Sequence, residues 1–165
     1  MEATFLEFIR YNNWANEQLL ATCAQLDATE LETPIPGALG TIRETLEHIV
    51  RAEASYVGRL TGSRPQPAFD WAAGPSLTEI NEFAAQVAAA LVDVAAHVDP
   101  TARIRLTFDG RPIDFEARAI FIQIINHGIE HRTNITTVLN QGGQDVPEVD
   151  GWSYLMANPE RFGLQ

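Results

Sequence analysis

The sequence predicts an all-α protein built on four long helices, and three observations carry that prediction. Four segments repeat apolar side chains at three- and four-residue steps over about twenty residues each. Between them lie stretches rich in Pro and Gly, with capping residues at their ends. The one segment that alternates instead, Arg103-Ile104-Arg105-Leu106-Thr107-Phe108, is followed by the turn pair Asp109-Gly110 and a second short run over residues 111–115. That pattern predicts a small β-hairpin just before the last long helix.

The first helix is expected over residues 5–26, where Phe5, Ile9, Leu19, Cys23 and Leu26 recur at helical steps and Glu2 and Glu7 favour the N-terminal end. Asn12 and Asn16 fall inside its apolar stripe. A buried amide needs partners, so each is expected either to bond neighbouring backbone or to face a pocket as a substrate or ligand-orienting contact. Trp14 points the other way, toward a subunit contact or a shallow groove under a loop. Residues 33–40 read as a loop, and Thr41 with Glu44 has the form of a capping box. The second helix starts there, follows Ile42, Leu46, Ile49, Tyr56, Val57 and Leu60, and ends at Gly62. Glu53 sits in the middle of that apolar line and His48 at its edge.

Residues 62–76 form a long loop from which Phe69 and Trp71 should fold back onto the body, overhanging a pocket. The third helix runs from Leu77 to Val98, faces Ile80, Ala84, Val87, Leu91 and Val94 inward, and stops at Asp99-Pro100. His97 in its last turn meets the negative end of the helix dipole. The hairpin is marginal alone and should lie against the bundle or a second subunit. The fourth helix is expected over residues 116–140, its buried line being Ile120, Ile124, His127, His131, Ile135 and Val138, with Gly142-Gly143 as the stop. A short aromatic tail follows, with a brief helix around residues 151–158.

Composition narrows the partners. The 165 residues suit a single domain, residues 1–165, with its own core. A net charge of −11, with eleven scattered arginines and no lysine, argues against nucleic acid and anionic membranes. No leader pattern and no span of about 20 uncharged residues is visible, so a soluble cytoplasmic protein acting on a small molecule is expected. Cys23 is the single cysteine, which excludes an intrachain disulfide.

The chemistry concentrates on His127-Gly128-Ile129-Glu130-His131. Two imidazoles four residues apart share one helix face, close enough to reach one ion. Burying both without partners would cost several kcal/mol. Hydrogen bonds to Asn12, Asn16 or Glu53 would compensate; a divalent metal would do so more completely, with His48 as the third ligand. Three histidines leave coordination open, which favours catalysis over a structural role. All-imidazole ligation suits zinc or nickel, with iron or cobalt as further candidates. Glu53 and Glu130 are the candidate bases or ligand-orienting groups, although Glu130 is turned about 100° from His131.

At these residues the chain resembles the DinB/YfiT-like metalloenzyme family. The likeness rests on His48, the His127-x-x-x-His131-Arg132 helix, the intervening hairpin, Tyr11-Asn12-Asn13-Trp14-Ala15-Asn16, and the tail Pro147-Glu148-Val149-Asp150-Gly151-Trp152-Ser153-Tyr154. It implies a four-helix bundle in up-down-down-up order, a metal held by the three histidines, and a homodimer. It also implies thiol chemistry, since relatives include S-transferases that join a low-molecular-weight thiol to an electrophile and a mycothiol-dependent isomerase. Asn134 stands where many relatives carry glutamine, so a substrate contact there would differ. The expected activity is thus thiol S-transfer, with metal-dependent hydrolysis or a non-catalytic metal-binding interaction bundle as alternatives. The H-x-x-E-H pattern of inverted zincins also matches, but only 34 residues follow His131 and His48 would be idle.

Overall fold

The computed structural model describes residues 2–38 and 40–164, with side chains from residue 4 onward. Leu39 of the expected 33–40 loop, the terminal Met1 and Gln165, and the side chain of Glu2 therefore lie outside the described residues. The elements are α1 (Glu2–Cys23), α2 (Ala28–Leu31), α3 (Ile42–Thr61), α4 (Leu77–His97), β1 (Arg103–Phe108), β2 (Arg111–Glu116), α5 (Arg118–Gln141) and α6 (Gly151–Ala157). Single 3₁₀ turns cover Trp71–Ala73 and Pro159–Phe162. None of the described helices is long and apolar enough to cross a membrane.

Four long helices make the bundle. Two of the helix starts, those of α3 and α4, follow from local chemistry: Thr41 and Ser76 each accept a hydrogen bond from the backbone three residues on, and Glu44 and Glu79 return one. The same device at Asp27 and Glu30 starts α2, a single turn of helix in the stretch between residues 26 and 33 for which no element was expected. Helix α1 ends at Cys23, three residues earlier than expected. Helix α5 begins at Arg118 rather than at residue 116, because Glu116 is claimed by the hairpin ladder, opposite Arg103. The turn is as expected: Asp109 and Gly110 both take positive φ, 48° and 72°, which matches the twist of two paired strands.

The connections set the helix directions. Arg43 Nη1 donates to the Pro75 carbonyl at 3.3 Å, so the loop after α3 returns to the start of α3 and α4 leaves in parallel with it. Gln144 Nε2, just past α5, donates to Glu30 Oε1 at 2.6 Å, which brings the end of α5 beside the end of α1. The order is up-down-down-up. Helices α1 and α3 each pack on both α4 and α5 and lie on a diagonal of the bundle. Ile9, Leu19, Leu46, Ile80, Leu91, Ile124 and Ile135 fill the core between them, each almost fully buried.

The returning loop lies on α4 through aromatic contacts, Phe69 and Trp71 meeting Phe83 edge-on at 6.2 and 6.1 Å, with Arg51 over the Trp71 ring at 5.3 Å. Ile104 and Phe115 seat the hairpin's foot on the bundle, while its tip leaves Phe108 63% exposed. Trp14 is half-buried against Tyr154 at 5.4 Å, and the Tyr154 hydroxyl donates to Glu7 Oε1 at 2.7 Å. The tail thus provides the cover that makes Trp14 part of a groove within the chain. His97 ends α4, exposed, with Nδ1 at 2.8 Å from the Asp93 carbonyl.

Replacing Leu91, which is 0% exposed, by alanine should cost about 3 kcal/mol in urea denaturation. Phe108→Ser at the exposed hairpin tip should stay within about 0.5 kcal/mol of wild type.

Candidate metal centre

The two histidines of α5 face α3, where His48 meets them. The imidazoles of His127 and His131 have ring centroids 4.4 Å apart, and each lies 4.8 Å from the His48 ring. One nitrogen from each of the three can be chosen so that all lie within 4.8 Å of one another. His127 Nε2 and His48 Nε2 are 2.8 Å apart. His48 reaches this position from the edge of its helix's apolar face, because α3 packs on α5 with that edge turned inward. His127 and His131 are 8% and 7% exposed, and His48 keeps a partly open side.

The residues present fit a divalent ion. Among the described residues no Cys, Asp or Glu joins the three rings, so the donor set is all imidazole. Nδ1 of His127 and Nδ1 of His131 are buried with no hydrogen-bond partner, a demand that the protein itself leaves unmet. All three side chains are held toward the neutral, ligating form. Burial, with the neighbouring positive centres, lowers His127 to about 4. Burial likewise lowers His48 and His131, the latter against an upward pull from Glu130. The Tyr56 ring stands edge-on to His127 at 5.8 Å and closes one flank.

Behind the imidazoles lies a buried polar network. Arg132 Nη1 donates to Asn12 Oδ1 at 2.8 Å and to Asn16 Oδ1 at 2.7 Å. The two amides donate in turn to Glu53 Oε1, at 2.7 and 2.8 Å. Guanidinium and carboxylate are thereby connected through two asparagines, across α5, α1 and α3. Burial raises the Glu53 carboxyl, against the lowering effect of the two amides and Arg132. Asn12 and Asn16 bond side chains of other helices rather than backbone, and Glu53 bonds those amides rather than an imidazole. Glu130 is exposed beside the cluster, and Asn134 is half-buried one turn beyond His131 on the same helix face.

Two residues of this centre are given no role in the sequence reading, Arg132 entering it only as part of the family motif and Gly128 only as part of the histidine stretch. Arg132, 2% exposed, is the charge that organises the network. Gly128 is the place where it passes: a Cβ there would stand 2.3 Å from Asn12 Oδ1 and 2.6 Å from Arg132 Nη1. The available signal was the position of both residues on the apolar line, Ile124, Gly128, Arg132, Ile135 and Leu139. A glycine one turn before a buried arginine leaves room for its side chain to fold back.

Gly128→Ala should therefore destabilise the protein by about 2 kcal/mol in chemical denaturation, although alanine is the better helix former by about 1 kcal/mol. The histidines give a second expectation, for metal-free protein. Their pKa values are lower folded than unfolded, so their contribution is complete above about pH 6.5 and is lost as pH falls toward the folded value. Thermal melts in chelator should show a decline between pH 6.5 and about 4. His127→Gln should remove on the order of 2 kcal/mol of that dependence.

No curated protein matches the chain. A DinB-like protein from Bacillus cereus ATCC 10987, known from a crystal structure, superposes with a TM-score of 0.68 at 24% identity. The match covers 88% of this chain and 95% of that one and establishes a shared fold. The family model described as the DinB family matches residues 1–161, all but the last four positions of the tail, and this protein belongs to the DinB family.

Proposed function

We propose that the protein is a metal-dependent enzyme acting at His48, His127 and His131, and that it joins an external low-molecular-weight thiol to a small electrophile. The observation that carries this reading is the convergence of three imidazoles, unaccompanied by a carboxylate or thiolate among the described residues, with His48 partly open to solvent. Three ligands and an accessible side are what a catalytic site needs, whereas a structural site closes on four. An ion held there would lower the pKa of a thiol or a water at the open side. Zinc or nickel fits the nitrogen donors.

The chain's own residues do the rest. The thiol has to come from outside, since Cys23 is fully buried in α1 and burial pushes its thiol up to about 12. Glu130, exposed next to His131, accepts the proton that the incoming thiol gives up. Asn134 offers an amide on the same face of α5 to hold the substrate. Asn12 and Asn16 act from behind, fixing the angle of α1 against α5 and α3. Glu53 completes that frame, and of the two carboxylates it is Glu130 that we assign to proton transfer.

Elemental analysis of purified protein tests the metal, and a panel of thiols with a chromogenic electrophile tests the chemistry. His48→Ala should lose the metal, while Glu130→Ala should keep it and turn over about a hundredfold more slowly. Full metal occupancy in His48→Ala would overturn the ligand set. Ester hydrolysis without any thiol-dependent turnover would instead identify a hydrolase at the same three histidines.

A further inference from the structure

A cavity of about 580 Å³ opens between α1 and α4, and none of the three histidines lines it. Its size falls within the roughly 300–1,000 Å³ of small-molecule sites. Part of the wall is apolar, formed by Ala84, Ala88 and Val92 of α4 with Trp14 and Leu20 of α1, and the polar Asn13 lies beside it. At the floor, from α3, lies Glu53, and beside it Asn16. Glu53 is only 4% exposed, yet both asparagine amides converge on a single oxygen, Oε1. Its other oxygen has no hydrogen-bond partner among the described residues. That oxygen is not fully enclosed, so a donor brought into the cavity can reach it.

The geometry points to this cleft as a second ligand site, for a small organic amine whose ammonium group reaches Glu53 while its apolar body lies along the alanines. The surrounding charge agrees. Arg10 and Arg161 at the rim are both drawn to Glu7, at 3.1 and 3.9 Å, and Glu17 adds a further negative group. Arg132 is turned to the far side of the asparagine pair, with Nη1 bonded to both amide oxygens. The chain as a whole carries a net charge of −11, which draws cations toward it. A carboxylate ligand would meet Glu53 with like charge, and an alcohol would supply a weaker, uncharged donor. The site is independent of the chemistry assigned to the histidines, since none of them borders it.

Calorimetric titration of the full chain with 4-phenylbutylamine, 4-phenylbutan-1-ol and 4-phenylbutyrate tests the assignment, with thermal melts to verify that each variant is folded. The amine should bind at least about tenfold more tightly than either isostere, the ratio expected for a charged hydrogen bond over a neutral one. Glu53→Gln should weaken the amine about tenfold and leave the alcohol unchanged. Ala88→Phe, which fills the cleft and leaves the Glu53 network in place, should abolish amine binding. Undiminished binding to folded Ala88→Phe, equal affinity for amine and isosteres, or no amine binding to the wild type would each overturn it.

Discussion

The interaction on which the rest of this bundle depends is the buried link from Arg132 through Asn12 and Asn16 to Glu53. An apolar bundle core tolerates small rotations of its helices, because hydrophobic contact has little direction. Hydrogen bonds between buried groups do not, since each lost partner leaves a desolvated polar atom that costs about 1 to 3 kcal/mol. By spanning α5, α1 and α3, the network sets the mutual rotation of three of the four long helices. The two asparagines also separate guanidinium from carboxylate, so charge is neutralised without a direct ion pair in the core.

That rotation is what makes the histidine cluster. His131 precedes Arg132 on α5, and His48 lies five residues before Glu53 on α3, so the pair held by the network and the pair needed at the cluster are the same two helices. Turning α3 to satisfy the asparagines brings the edge position of His48 inward, to 2.8 Å from His127. Gly128 belongs to the same arrangement, since its missing side chain lets Arg132 and Asn12 meet across the surface of α5. The imidazoles then face the outer side of the α3–α5 seam, while Glu53 faces the α1–α4 cleft, and the bundle presents different chemistry on its two sides.

Much of this was legible in the sequence. The helix periods, the Thr41 and Ser76 caps and the Asp109-Gly110 turn are local features, whose physics acts within a few residues, and they placed the long helices and the hairpin to within a few positions. The boundary errors have the same origin. Asp27 and Glu30 form a capping box of their own just past the periodic run that ends at Leu26, and Glu116 pairs with Arg103 across the hairpin, a contact that helical periodicity does not register. His127 and His131 were also legible, because four-residue spacing on a buried stripe is a property of one helix.

What the sequence by itself determined, then, is which residues sit on which helix face, and with that the inward imidazole pair, the inward asparagines and the carboxylate at position 53. The tertiary structure decided who meets whom. Glu53 bonds amides rather than an imidazole, Arg132 is the buried charge, His48 comes in from the edge, and Trp14 is covered by Tyr154 from the tail. These pairings join residues from 37 to 140 positions apart, for example Asn16 with Glu53 and Trp14 with Tyr154. They depend on the relative rotation of packed helices, which no single helix's pattern contains.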